Sequence, residues 1–220
     1  MKKIRISAFL LEVNMDFQYE INAKEKGYKA VCGVDEAGRG PLAGPVSAAC
    51  VIYKVNGPFV KGADDSKKIS EKKREALFDE IKASCIGYGI CFNDNHRIDE
   101  INILQATFEA MRGAVEEAIK MAGGRRPEML LVDHVHIPNM DIPQMSITHG
   151  DAQSVSIASA SILAKVSRDD YMLEMADKYP EYAFDVHKGY GTKAHYAALT
   201  QHGPSPIHRM TFLKKFYGTQ

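Results

Sequence analysis

Short apolar runs rich in β-branched residues alternate with longer segments of helical periodicity along this chain. Ala30 to Val34 is the first run and stops at Asp35; Val46 to Tyr53 is the second and Ile86 to Phe92 the third. Met129 to Val132 is a fourth, ending at Asp133, and Met145 to Thr148 is a weaker fifth. Their length and composition predict strands. Between and after them the spacing changes to three and four. Ser70 is placed to cap a helix over Glu71 to Ala83, with Leu77 and Ile81 on one face. Ile101, Leu104, Phe108, Met111, Val115 and Ile119 define a second helix that Gly123 and Gly124 end. A third is expected from Ser154 to Tyr179, and it opens with small residues that let a helix lie close to a sheet. Beyond it Gly189, Gly191, Gly203, Pro204 and Pro206 predict loops and short helices.

This order describes an α/β layered domain with a mixed five-stranded sheet flanked by helices and a helical and loop C-terminal segment. The first three strands suit a meander with one helix inserted between the second and third. A strand that follows a long helix returns parallel to an earlier one by a right-handed crossover. If Met129 to Val132 lies beside Ala30 to Val34, Asp35 and Asp133 meet at neighbouring strand ends.

Composition adds bounds. A chain of 220 residues can bury roughly 70% of its unfolded surface, so no disulfide staple is required. Cys32, Cys50, Cys85 and Cys91 are scattered without a CxxC pair, which predicts buried free thiols in a reducing, cytoplasmic setting. No apolar stretch reaches the roughly 20 residues of a membrane span. The opening MKKIRISAFLLEV is interrupted by Glu12 and lacks a small-residue cleavage site, so it is expected to stay in the mature protein. Net charge is zero, yet residues 186–220 contain no Asp or Glu and carry Lys188, Lys193, Arg209, Lys214, Lys215, His187, His195, His202 and His208. That tail is a candidate phosphate-facing surface.

The candidate chemistry sits where the first strand is expected to end. Asp35 and Glu36 offer adjacent hard oxygen ligands of the kind Mg²⁺ and Mn²⁺ prefer. Gly38 and Gly40 allow backbone N–H groups to approach a ligand, and Arg39 between them can reach a phosphate. Each feature alone is common on protein surfaces; the combination is not.

The run Gly33 to Val46 (GVDEAGRGPLAGPV) resembles the signature of the ribonuclease HII family. Further segments follow in the family's order. They are Asp65-Ser66-Lys67-Lys68, Leu131-Val132-Asp133, Gly150-Asp151 with Ile157 to Asp169, His187 to Thr192, and Gly203-Pro204 through Arg209. The resemblance spans roughly Lys29 to Phe212. It implies an RNase H-like fold, cleavage of RNA within RNA–DNA hybrids, and incision 5′ of a single ribonucleotide in duplex DNA. The products would carry 5′-phosphate and 3′-hydroxyl ends. It implies that Asp35, Glu36, Asp133 and Asp151 bind two Mg²⁺ or Mn²⁺ ions, with Asp35 bridging. Gly38, Arg39 and Gly40 would read the ribonucleotide, Tyr190 would stack on the following deoxyribose, and Lys67 would help bind substrate. Residues 1–28 are then an N-terminal extension, 29–185 the catalytic domain, and 186–220 a basic segment packed on it. Hybrid and ribonucleotide-containing duplexes are the expected partners of a monomer without an obligate protein partner.

Two alternatives stay in view. Ribonuclease HIII, a relative, lacks an arginine held between glycines and usually has an N-terminal substrate-binding domain, for which 28 residues are too few. A non-catalytic nucleic-acid-binding module would not need four acidic residues. Three positions depart from the family's usual pattern: His134 stands for glycine, His149 for lysine and Ser159 for alanine. None removes a carboxylate.

Overall fold

The computed structural model describes residues 18–60, 62–63 and 69–218. Lys67 and the rest of its DSK segment lie outside the described residues, as does most of the 1–28 segment. Five strands form one sheet in the order β3-β2-β1-β4-β5. They are β1 (Ala30–Ala37), β2 (Val46–Lys54), β3 (Gly87–Asn93), β4 (Met129–Asp133) and β5 (Gln144–Ile147). The first three form the expected antiparallel meander, and β4 returns parallel to β1 with Val34 opposite Val132. Asp35 and Asp133 therefore stand one position beyond the last pair of that parallel ladder.

Helices cover both faces of the sheet. On one side α5 (Val155–Lys178) and α2 (Glu71–Ser84) pack on Ala49, Val51 and Tyr53. On the other, α4 (Ile103–Met121) packs on Cys32, Val34, Cys50 and Ile52. Successive strand residues alternate between these faces, so Asp35 belongs to the α5 side and Glu36 to the α4 side. The small residues that open α5 are buried without exception from Val155 to Ala164. Gly33 shows why. A Cβ built there would lie 2.0 Å from the carbonyl carbon of Ser156 and 2.4 Å from the Ile157 nitrogen, so only hydrogen fits between β1 and the helix backbone.

Three sequence expectations change. β1 does not stop at Asp35 but continues to Ala37, because Asp35 and Glu36 still pair with Ala49 and Ala48 of β2. The helix expected from Ile101 is two helices, α3 (Asn95–Ile101) and α4, broken at Asn102. Asn102 adopts φ +68° and its side chain accepts from the N–H groups of Leu104 and Gln105, capping α4. The face of α4 against the sheet is mostly alanine, with Met111 and Val115, while Leu104 is exposed. An additional helix, α1 (Gln18–Glu25), precedes β1. Its buried Glu20 accepts from Ser154 Oγ at 2.6 Å and from Ser156 N at 3.1 Å, so it binds the first turn of α5 beside the Ser154 cap.

The C-terminal segment forms α6 (Phe184–His187), α7 (Lys193–His202) and α8 (Met210–Tyr217). They close a third apolar cluster with Leu42, Met172 and Met175. Among the described residues no helix is long and apolar enough to cross a membrane.

Because the contact at Gly33 is backbone against backbone, it has no soft side chain to give way. Gly33→Ala is expected to lower unfolding stability by about 3 kcal/mol, the upper part of the range for overpacking, read as a shift of the urea midpoint at unchanged slope.

Candidate active site

The end of β1 opens into a cleft of about 370 Å³ lined by Asp35, Glu36, Gly38, Arg39, Gly40, Asp133 and Tyr190, together with Ser161, Lys165 and Arg168. Asp35 is the most enclosed carboxylate of this group, 5% exposed. Burial first, then the charges of Glu36 and Asp133, push its pKa well above the usual carboxylate range; hydrogen bonds from Ser161 and from the Glu36 N–H act the other way. Glu36 is held by Arg39, whose Nη1 stands 3.3 Å from its Oε1. Asp133 ends β4 and its Oδ1 accepts from the Gly150 N–H at 2.6 Å. That bond ties the Gly150–Ala152 turn to the carboxylate cluster. Asp151 is buried within this turn but is not part of the cleft wall. His134 and His149, on either side of these ligand candidates, both adopt left-handed backbone, at φ +59° and +55°. His134 thus occupies a conformation that glycine reaches at less cost.

The Gly38-Arg39-Gly40 loop is braced from below. Arg209, fully buried, donates from Nη2 to the Gly38 carbonyl at 2.6 Å, from Nη1 to the Arg39 carbonyl at 3.0 Å, and from Nε to the Gly44 carbonyl at 2.9 Å. Arg168 donates to the carbonyls of Pro45, Ala43 and Lys188. These guanidinium groups substitute for the water the carbonyls would otherwise bind. Burial and the neighbouring Arg168 lower Arg209 to about 9, and burial lowers Arg168 as well.

The two glycines of the loop are under different constraints. Gly38 has φ +89°, and a Cβ there would meet Arg168 Nε at 2.1 Å. At Gly40 a Cβ would meet the Tyr190 ring at an ordinary 3.7 Å. The protein itself would accept an alanine at Gly40. Tyr190 is 46% exposed and stands over this position at the rim of the cleft.

Sequence reasoning missed Ser161, Lys165 and Arg168. Their spacing of four and three along α5 places them on one helical stripe, and that spacing was the available signal. Lys165 is paired with Asp169 at 2.7 Å. The basic tail also reads differently in three dimensions. His187, His195, His208 and Arg209 are inside the protein, whereas Lys193, Lys214 and Lys215 are exposed.

The donors at the cleft are carboxylate oxygens, which suit a hard divalent cation such as Mg²⁺ or Mn²⁺. The raised Asp35 shows that the cluster carries a charge strain such a cation would relieve. Among the described residues no three His, Cys, Asp or Glu side chains already converge as a ready cage. Donor type and charge therefore fit the ions.

Comparison with known proteins places the chain in a family. The family model for ribonuclease HII matches residues 32–215. A protein named ribonuclease HII from Caldicellulosiruptor saccharolyticus is 50% identical over 198 residues, covering 90% of this chain and 94% of that protein. Among solved structures, ribonuclease H2 from Pyrococcus horikoshii superposes with a TM-score of 0.67 at 24% identity, over 83% of this chain and 93% of the other. Bst-RNase HIII in complex with Mn²⁺ shares the fold at a TM-score of 0.58 and 15% identity, over 79% and 63% of the two chains. With the family model covering most of its length and half of its residues shared with a full-length relative, the chain belongs to the ribonuclease HII family, endonucleases that hydrolyse RNA in RNA–DNA hybrids.

Proposed function

We propose that this enzyme also incises duplex DNA on the 5′ side of a single embedded ribonucleotide, using divalent ions held by Asp35, Glu36, Asp133 and Asp151. The observation that carries the reading is the shared cleft: three carboxylates at one end, the Gly38-Arg39-Gly40 loop along its wall and Tyr190 at its rim. The Mn²⁺ complex of the structurally similar RNase HIII supports the choice of metal class. When bound, a pair of such ions supplies an activated water and stabilises the leaving oxygen of a phosphodiester.

The chain's own residues do the rest. Ser161 and the Glu36 N–H hold the Asp35 carboxylate in place. The Gly150 N–H holds Asp133, and Asp151 follows Gly150 in the same short turn. Arg39, half-exposed, is placed to meet a phosphate with its planar fork. The bare backbone at Gly40 admits a sugar, and a 2′-hydroxyl there is the group that distinguishes RNA from DNA. Tyr190, facing Gly40, offers a flat surface on which the next deoxyribose can rest.

The deciding experiment is a duplex with one ribonucleotide, incubated with and without divalent ion. Incision 5′ of the ribose is expected only with metal. A substrate that survives while long hybrids are cut removes the single-ribonucleotide activity.

Asp35→Asn is expected to lower cleavage beyond the roughly 10–100-fold that a supporting residue costs, while hybrid binding stays measurable. Its stability should move the other way. A carboxylate whose folded pKa lies above its unfolded one opposes folding when ionised. That cost is absent below the unfolded value of about 3.9 and complete above the folded one. At neutral pH the metal-free Asn variant should therefore melt at a higher temperature than wild type, and added Mn²⁺ should raise its melting temperature less than it raises that of wild type. Near-wild-type cleavage by the variant sinks the ligand assignment.

Gly40→Ala separates substrate approach from folding. Its stability is expected within about 0.5 kcal/mol of wild type, by urea unfolding, and its incision of the embedded ribonucleotide reduced about tenfold or more. Unchanged incision would show that nothing needs to approach the backbone there.

A further inference from the structure

Behind Tyr190 lies a chain of buried imidazoles whose protons the structure assigns without ambiguity. The Tyr190 carbonyl stands 2.9 Å from His195 Nδ1. A carbonyl only accepts, so Nδ1 carries the proton. A neutral His195 then has a bare Nε2, and this atom stands 2.9 Å from His208 Nε2. His208 must therefore carry its proton on Nε2 and leave Nδ1 bare. That Nδ1 accepts from the Ser205 N–H at 2.8 Å, with the Ser205 hydroxyl also at 2.8 Å. The relay thus runs from a backbone donor at Ser205 to a backbone acceptor at Tyr190, and a single arrangement of neutral tautomers satisfies both ends.

A third histidine fixes the other side of the same loop. The His187 ring is stacked on His195 with centroids 4.5 Å apart. Its Nε2 donates to the Tyr182 carbonyl at 2.7 Å and its Nδ1 accepts from the Gly189 N–H at 3.2 Å. The Gly189 carbonyl in turn accepts from Leu42 N at 2.8 Å, just after the Gly38-Arg39-Gly40 loop. Burial lowers all three histidines, His208 to about 4, which keeps the rings neutral at neutral pH. A second proton on His195 would set two N–H groups facing each other across the His195–His208 contact, and one on His208 would set its Nδ1–H against the Ser205 N–H.

We propose that His195 and His208 are positioning residues for incision, holding Tyr190 over Gly40 through this one-way relay of neutral imidazoles. The proposal rests on the reading of Tyr190 as the residue that meets the deoxyribose after the ribonucleotide. Its parts separate in the following experiment. Nitrogen NMR of the histidine rings in the wild-type enzyme at neutral pH is expected to show His195 protonated on Nδ1, and His208 and His187 protonated on Nε2. The opposite tautomer, or a charged ring, at His195 or His208 overturns the relay whatever Tyr190 does.

The functional half is read by kinetics on duplex DNA with one ribonucleotide. His195→Leu is expected to lower kcat/KM about tenfold, and the same change in a Tyr190→Ala enzyme to add less than about twofold, since groups acting as a unit are not additive. His195→Asn, whose amide N–H can overlay the Nδ1–H and keep a donor for the Tyr190 carbonyl but does not reach His208, should recover part of the loss. Losses that multiply in the double variant overturn the proposal, because His195 would then act on something other than Tyr190. Should His195→Leu fail to fold, His195→Gln, which reaches toward His208 but loses the donor to the Tyr190 carbonyl, carries the same comparison with and without Tyr190→Ala. Wild-type incision by Tyr190→Ala overturns the stacking reading and the positioning role together, and leaves the ring tautomers as a separate finding about the fold.

Discussion

The contact between the backbone of β1 and the first turns of α5 is the constraint on which the rest of the molecule depends. It exists because Gly33 has no side chain and because α5 begins with residues small enough to lie flat on the sheet. Everything polar that α5 contributes follows from that approach. Ser161 reaches Asp35, Lys165 lines the cleft, and Arg168 binds the carbonyls of Ala43, Pro45 and Lys188 beside the loop. The buried Glu20 on α1 and the Ser154 cap secure the start of the same helix. A wider spacing would fill the gap with larger side chains and move those polar groups away from the end of β1.

The cleft sets stability against chemistry. Burying Asp35 beside Glu36 and Asp133 raises the free energy of the folded protein at neutral pH, because the carboxylate gives up water without gaining a cation among the described residues. Two buried arginines nearby are spent on carbonyls rather than on these acids. Arg39 pairs with Glu36, but the two buried arginines do not meet Asp35 or Asp133, which keeps those carboxylates open to the proposed external cation. The same reasoning gives the histidines their role. Three imidazoles that could take up a proton near neutral pH on a surface are held uncharged inside, where their value is in direction rather than in charge.

Much of the architecture was legible because it depends on local patterning. The five strands, the cap at Ser70, the start of α5 near Ser154, and the parallel return of β4 beside β1 all follow from periodicity and crossover rules. What was not legible depends on partners distant in the chain. Helix α1 has a polar sequence and is held by the buried contacts of Glu20 and Ala23. The break at Asn102 hides within a continuous apolar period because one residue at positive φ interrupts the helix without altering its hydrophobic spacing. Arg168 and Arg209 read as ordinary surface cations in a sequence, since nothing local reveals that carbonyls more than a hundred residues away will surround them. For the site, Asp35 and Asp133 could be brought together from topology alone. Glu36 came with its neighbour, and Asp151 came through resemblance; its turn meets the cluster through a backbone N–H that no side-chain pattern encodes.

The reach of Arg209 bears on the order in which the molecule can become functional during synthesis. Its guanidinium binds the carbonyl of Gly38, 171 positions earlier in the chain. A growing polypeptide acquires every candidate acidic ligand by the time residue 151 has emerged, yet the loop beside them stays without its lower support until residue 209 follows. Contacts of such long range form late because loop closure must precede their reward. Translation therefore imposes its own timing: the candidate metal-binding groups appear first, and the loop proposed to read the sugar gains its support only once residue 209 has followed.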